Sequence, residues 1–327
     1  MPALLSARAP VRVDLGGGWT DVPPYCDEAG GFVCNLAIAR YATATLSVGD
    51  VPAAGTDEFS EGAIALAALN RASRGQNPVR LRLASDFPMG AGLGGSSAAG
   101  VAAVAVLAAY SGWAARPEEI AEESRSIEVN DLGVAGGRQD HYAAAFGGAL
   151  ALEFGNGVRV QRVPLSDSFV TSLESHMLIL YTGQSRMSGA TISAVLNAWA
   201  SGEARVANSL DRMKALAREM DAALRRENVE DLGRLVGEHW VQQRLLHPSI
   251  TTPAIDEITA IAAREGAWGS KALGASGGGC VAVLGNPESL DLVERACASL
   301  ATPLPFGIDK CGVHVMPGDP NADTTVT

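Results

Sequence analysis

The stretch Pro88-Met89-Gly90-Ala91-Gly92-Leu93-Gly94-Gly95-Ser96-Ser97-Ala98-Ala99 packs four glycines into six residues and sets two serines before an apolar run. Glycines let a backbone bend sharply and turn successive N–H groups inward with no side chain in the way. The serines fall at the start of a predicted helix, where unpaired amides and the helix dipole favour an anion. A serine hydroxyl there can cap the helix or coordinate Mg²⁺. No Lys-Ser/Thr pair follows the glycines, so this is not a Walker A loop. It also lacks the spacing and downstream acid of a dinucleotide fingerprint. By itself the stretch reads equally as a tight strand-to-helix connection with a serine cap.

Two acids follow at twelve residues' separation in Glu128-Val129-Asn130-Asp131-Leu132-Gly133-Val134-Ala135-Gly136-Gly137-Arg138-Gln139-Asp140-His141. Glu128 ends one predicted helix, and Asp140 follows a Gly-Gly turn at the start of the next. Two further glycine clusters flank this region. Arg8-Ala9-Pro10-Val11-Arg12-Val13-Asp14-Leu15-Gly16-Gly17-Gly18-Trp19-Thr20-Asp21-Val22-Pro23-Pro24 runs a strand into a triple glycine and a Thr-Asp pair, with a double proline stiffening the exit. Gly274-Ala275-Ser276-Gly277-Gly278-Gly279-Cys280-Val281 lies near the other end. On residue types alone, Asp140 is a helix N-cap, Glu128 a solvated helical acid, Arg12 a strand arginine facing solvent, and Asp21 a turn former bonded to its own backbone.

The elements that would position these residues alternate between strand and helix patterns. Strands are expected at Ala9–Leu15, Phe32–Val48 and over Val79–Leu83, where Val79, Leu81 and Leu83 alternate with arginines. A hairpin is expected at 149–154 and 158–163 around Gly155-Asn156-Gly157, with further strands at 176–181, 271–275, 280–284 and 312–316. Helices are expected at Ser60–Arg74, from Ser96, at Pro117–Asn130, through most of 191–247, at 253–265 and at 287–299. This is an α+β pattern in two lobes, divided near residue 170 into 1–170 and 171–327. At 327 residues and 47% apolar content each lobe can bury a core. The net charge of −11, with only Lys214, Lys271 and Lys310 as lysines, argues against nucleic acid or anionic membrane as a partner. A phosphate site would have to rely on backbone amides, arginine or metal. Five cysteines without a C-x-x-C pair fit reduced thiols in a cytoplasm better than zinc or disulfides. His176, His239, His247 and His314 are scattered without ligand spacing and read as structural.

The three glycine motifs, in this order, resemble those of the GHMP kinase superfamily, whose second signature is a P-G/S-G-x-G-L-G-S-S-A loop; Gly95 is an extra glycine here. The first motif, with Gly-Gly-Trp-Thr-Asp in place of the galactokinase Gly-Glu-His, resembles the sugar-1-kinase branch containing L-fucokinase and the heptose 7-phosphate kinase. That resemblance implies a ribosomal-protein-S5-like N-terminal domain, a ferredoxin-like C-terminal domain and a cleft site that uses ATP and Mg²⁺ to phosphorylate a small sugar. It places Gly90, Gly92, Leu93, Gly94, Gly95, Ser96, Ser97 and Ala98 on the nucleotide and Ser97 and Glu128 on the metal. Asp140 falls at the catalytic aspartate, with Arg12 as its charge partner. Trp19, Thr20, Asp21, Gly137, Gln139, Gly277 and Gly278 fall on the substrate, Trp19 stacking on the sugar's apolar face. His141 departs from the family's glutamine. The acceptor implied is the anomeric hydroxyl of an L-fucose-like sugar or a heptose 7-phosphate. Another aldose, or a sensor of the same fold that binds without turnover, is the alternative; Ser97, Glu128 and Asp140 are all kept, which favours an enzyme.

Overall fold

The computed structural model describes residues 4–48, 62–72, 79–184 and 189–317. Its strands are β1 (Leu4–Gly16), β2 (Gly31–Val48), β3 (Val79–Ser85), β4 (Ala149–Gly155), β5 (Gly157–Val163), β6 (Met177–Tyr181), β7 (Gly269–Ala272), β8 (Cys280–Leu284), β9 (Thr302–Pro303) and β10 (His314–Pro317). The helices are α1 (Tyr25–Ala29), α2 (Ala63–Ala72), α3 (Gly95–Ser111), α4 (Pro117–Ser126), α5 (Gln139–Phe146), α6 (Asp167–Ser175), α7 (Gly189–Ala200), α8 (Ala204–Arg225), α9 (Val229–Leu246), α10 (Pro253–Arg264) and α11 (Pro287–Ala296).

Two antiparallel sheets result. One is six-stranded, ordered β10-β1-β2-β4-β5 with β3 also on β2; the other is four-stranded, ordered β7-β8-β6-β9. They separate between β5 and β6, beside the boundary expected near residue 170. The chain nevertheless returns across it, because β10 pairs with β1 from Leu5↔Pro317 to Arg8↔His314. The last described strand thus belongs to the first sheet and not to the lobe formed by the rest of 171–327. The expected helix at Ser60–Arg74 is α2, and its outermost expected residues lie outside the described ones. The strand expected over 271–275 stops at Ala272, where the glycine loop takes over.

The first sheet carries α3, a helix of small apolar residues buried along most of its length. Alanine and valine suit it, because a helix covered on every side needs no polar face. Along β1 the period of two sorts the side chains. Val11, Val13 and Leu15 are buried apolar residues, while Arg12 and Asp14 alternate with them. Asp14 meets Lys271 of β7, with Nζ 3.1 Å from Oδ2 and neither side chain more than 2% exposed. Burial pushes the Asp14 carboxyl up, but the Lys271 charge above all, with Arg12, outweighs it and holds the group below the usual carboxylate range. Nearby, His239 of α9 accepts the Gly17 N–H at 2.9 Å. Burial and the Lys271 charge keep its pKa well below the ordinary value, so it is neutral. The reading of His239 as structural therefore stands.

This ion pair joins residues 257 positions apart across the two sheets. Removing one partner of a buried pair leaves a charge without compensation. Lys271→Met is expected to lower the unfolding free energy by about 3–5 kcal/mol, read from urea denaturation. Adding Asp14→Asn should recover part of that loss, whereas a single variant as stable as the wild type would show that the pair does not tie the sheets.

Candidate active site

The glycine turn runs from the end of β3 into α3. Gly94 sits at φ 77°, and a side chain there would meet the Asp140 carboxyl at 3.0 Å, so glycine is required on both counts. Leu93 and Ala98 are buried and anchor the turn, while Gly90 and Ser96 are exposed and Gly92 and Gly95 half-buried. The serines do not cap α3, whose first residues have no side-chain cap. Both hydroxyls instead donate to one carboxylate: Ser96 Oγ to Glu128 Oε1 at 2.7 Å and Ser97 Oγ to Glu128 Oε2 at 3.2 Å.

Glu128 does not end an α-helix as expected. It lies in one wide π-helical turn, Ile127–Asp131, that follows α4 and is closed by Leu132 N–H on the Ile127 carbonyl. Such turns re-aim a side chain and recur at functional sites. Arg71 of α2 fastens this one, bonding both Asp131 oxygens, Glu123 and the Ser126 hydroxyl. Burial pushes the Glu128 carboxyl up, yet His141 and the two serines hold it below the ordinary range. It is ionised, aimed at the serine pair and only 13% exposed at its side chain.

Asp140 is the second residue of α5, and the helix is capped from elsewhere. Both Arg12 contacts, from Nε and Nη2, reach Asp140 Oδ1 at 2.7 Å. Oδ2 is left unengaged by Arg12, beside Gly94. Arg12 also donates through Nη1 to the Gly92 carbonyl at 2.8 Å, and its backbone N–H to that of Leu93 at 3.0 Å. The Arg12 side chain is 4% exposed and that of Asp140 25%. The solvent-facing reading of Arg12 and the capping reading of Asp140 are thus replaced by a close ion pair whose carboxylate is open on one side.

The cap on α5 is Asp21. Its Oδ2 accepts the N–H groups of Arg138 at 2.8 Å and Gln139 at 3.0 Å. Gly137 is glycine because a Cβ there would lie 1.9 Å from that oxygen. Asp21, Thr20, Trp19 and Gln139, expected on the substrate, are all buried. The Thr20 hydroxyl donates to the Gly17 carbonyl at 2.7 Å and accepts the Phe32 N–H at 3.1 Å, so it fixes the loop. Trp19 is corrected: at φ 79° and 5% exposure it packs in an apolar cluster with Val22, Tyr25, Val206 and Trp240, and presents no open ring face to a sugar. Gly277 and Gly278 are buried too. Gly277 N–H bonds the Ile250 carbonyl, and a Cβ on Gly278 would meet the Gln184 carbonyl at 2.8 Å. Their loop nonetheless reaches the phosphate-loop candidate, with Cys280 N–H on the Ala91 carbonyl at 2.8 Å.

The structure therefore brings the three glycine motifs, Glu128, Asp140 and Arg12 to one place. Asp14, Lys271 and His141 were not singled out for it by sequence. The period of two from Arg12 could have flagged Asp14, but nothing local marks its partner so far along the chain. A hard, all-oxygen donor set of one carboxylate and two hydroxyls beside a glycine loop fits a divalent cation that takes its remaining ligands from phosphate and water. Among the described residues no group of three or more His, Cys, Asp or Glu could hold a metal by itself. None of the lysines serves the loop: Lys271 binds Asp14, Lys214 the Ala29 and Gly30 carbonyls, and Lys310 Asp167. All five cysteines are free, four of them buried. No helix among the described residues is long and apolar enough to cross a membrane.

Residues 61–148 match the GHMP kinases N terminal domain and residues 220–301 the GHMP kinases C terminal domain. The D-glycero-alpha-D-manno-heptose 7-phosphate kinase of Campylobacter jejuni is 30% identical over 84% of this chain and 87% of its own. The L-fucokinase/L-fucose-1-P guanylyltransferase of Bacteroides fragilis is 28% identical over 83% of this chain, which spans only 33% of that protein. The crystal structure of a D-glycero-D-manno-heptose 1-phosphate kinase from Bacteroides thetaiotaomicron superposes with a TM-score of 0.76 at 25% identity, covering 95% of this chain and 98% of that one. The chain belongs to the GHMP kinases, with their N- and C-terminal domains. It is a phosphotransferase with an alcohol group as acceptor.

Burial, opposed by the amide bonds and reinforced by the nearby Asp140 and Asp14 charges, raises Asp21 to about 6. Only the ionised form is a full acceptor for both α5 amides, so kcat/KM should fall below about pH 6. A folded pKa above the unfolded one means that protonating Asp21 favours folding as pH drops from about 6 to 4, so unfolding at this residue is not the cause. Asp21→Asn should lower the rate and erase this acid limb, and an unchanged limb would assign it to another group.

Proposed function

We propose that the protein is an ATP-dependent sugar kinase that phosphorylates the anomeric hydroxyl of a monosaccharide, either an L-fucose-like deoxyhexose or a heptose 7-phosphate. The observation that carries the reading is the Arg12–Asp140 pair, one carboxylate oxygen of which is left unengaged by Arg12 beside Gly94 of the glycine loop. The loop amides and Ser96 bind the nucleotide phosphates, and Ser97 and Glu128 hold Mg²⁺, which neutralises phosphate charge when bound. Asp140 Oδ2 accepts the proton of the acceptor hydroxyl or orients it, while Arg12 holds the carboxylate in place through Oδ1. Arg12 also steadies the loop through Gly92.

Two relatives differ on the sugar, one a heptose 7-phosphate kinase and the other a heptose 1-phosphate kinase. The first leaves the anomeric hydroxyl as acceptor, and the first motif's likeness to fucokinase supports the same choice. Purified protein incubated with ATP, Mg²⁺ and a panel of free, 1-phosphorylated and 7-phosphorylated sugars tests it by phosphorus NMR. The expected product shows a new phosphate coupled to the anomeric proton. Phosphate on a primary hydroxyl would overturn the anomeric assignment, and turnover of mevalonate-type alcohols alone would overturn the sugar.

A further inference from the structure

Asp140 and His141 are adjacent on α5, but a helix turns by about 100° per residue, so they face different ways. Asp140 reaches Arg12. His141 is 1% exposed and has Nε2 2.9 Å from Glu128 Oε2. Its other nitrogen, Nδ1, lies 2.9 Å from the hydroxyl of Ser124 on α4. Ser124 is buried as well, with its Oγ 3.4 Å from the Ser97 carbonyl. It fits only because residue 100 of α3 is glycine, since a Cβ there would lie 2.4 Å from the Ser124 oxygen.

With the proton on Nε2, the ring N–H lies in close polar contact with Glu128 Oε2 at 2.9 Å, out of line for a full hydrogen bond, and Nδ1 shares a hydrogen bond with the Ser124 hydroxyl. Glu128 thus receives two hydroxyl donors, Ser96 and Ser97, with the His141 Nε2 close behind its Oε2. The two serines belong to the phosphate loop and have ligands of their own to meet. The imidazole is buried between α4 and α5, and among the described residues its nitrogens face Glu128 and Ser124. A buried donor behind a carboxylate fixes which way its oxygens point.

We propose that His141, held by Ser124, is a positioning residue for Glu128 and sets the affinity of the Ser97–Glu128 site for a divalent cation bound with nucleotide. The proposal rests on the reading of that site as the metal site. It gives His141 a role on the metal side of the centre and none in touching the sugar. One short helix thereby orients both acids, Asp140 directly and Glu128 through the next residue.

The test is Mn²⁺ binding in the presence of ADP, followed by the loss of the free-ion EPR signal and compared with ADP binding without metal. His141→Leu should weaken Mn²⁺ binding about 10–100-fold and leave metal-free ADP binding unchanged. His141→Gln, which keeps a donor for the carboxylate, should restore most of the affinity. Ser124→Ala removes one hydroxyl and should give a smaller loss in the same direction, which keeps the test open should the leucine variant fail to fold. If Glu128→Gln weakens Mn²⁺ while His141→Leu and Ser124→Ala do not, the positioning role is overturned and the metal site stands. If Glu128→Gln has no effect either, the metal site falls and the role of His141 with it.

Discussion

The guanidinium of Arg12 bonds the carboxylate of Asp140 and the carbonyl of Gly92, while its own backbone amide bonds the Leu93 carbonyl. Three elements with separate origins in the chain are thereby held in register: β1, the glycine loop and the first turn of α5. Arginine suits this task because its rigid fork of donors serves two acceptors at once and stays charged when buried. A lysine could neutralise Asp140 but could not hold the loop carbonyl in the same geometry. Burial sharpens the arrangement, since a charge at 4% exposure must keep its partner.

Around that contact, each acid has a dedicated support. Asp21 caps α5 from the first motif and so sets where Asp140 emerges. The π-helical turn, fastened by Arg71, sets where Glu128 emerges. The Asp14–Lys271 pair ties the first motif to the strand that leads into the third, and the Cys280–Ala91 bond brings the third against the second. Side chains used in this way are unavailable to a ligand, which is why several first-motif residues turn out to be scaffold.

Much of this was legible in sequence where local chemistry is strong. Glycines dense enough to demand a turn, prolines at helix starts and alternation in Val79–Leu83 all placed elements correctly. The glycine loop, Glu128, Asp140 and Arg12 were gathered by their motifs, and the structure brings them together. Residues whose roles depend on distant partners were misread. Trp19 has the type expected of a sugar-stacking ring, but only the packing of α8 and α9 shows that it is enclosed. Asp14 and Lys271 carry no local mark, because a pair spanning most of the chain leaves no spacing to read. The π-helical turn was hidden as well, since its backbone differs from an α-helix by one hydrogen-bond step. His141 showed in sequence only as a departure from the family's glutamine, and its place between Glu128 and Ser124 became visible in the fold.

The proposed chemistry depends on the carboxylate of Asp140. Asparagine keeps the shape and an oxygen for Arg12 but cannot take a proton or remain anionic. Single-turnover kinetics of Asp140→Asn, with nucleotide binding measured on the same sample, isolates that one property. Unchanged ATP affinity is expected, with a chemical step slower by about 10²–10⁴-fold, the usual worth of a positioned acid or base. A near-wild-type rate with intact ATP binding would contradict that chemistry, and would reduce the Arg12–Asp140 pair to a structural clamp.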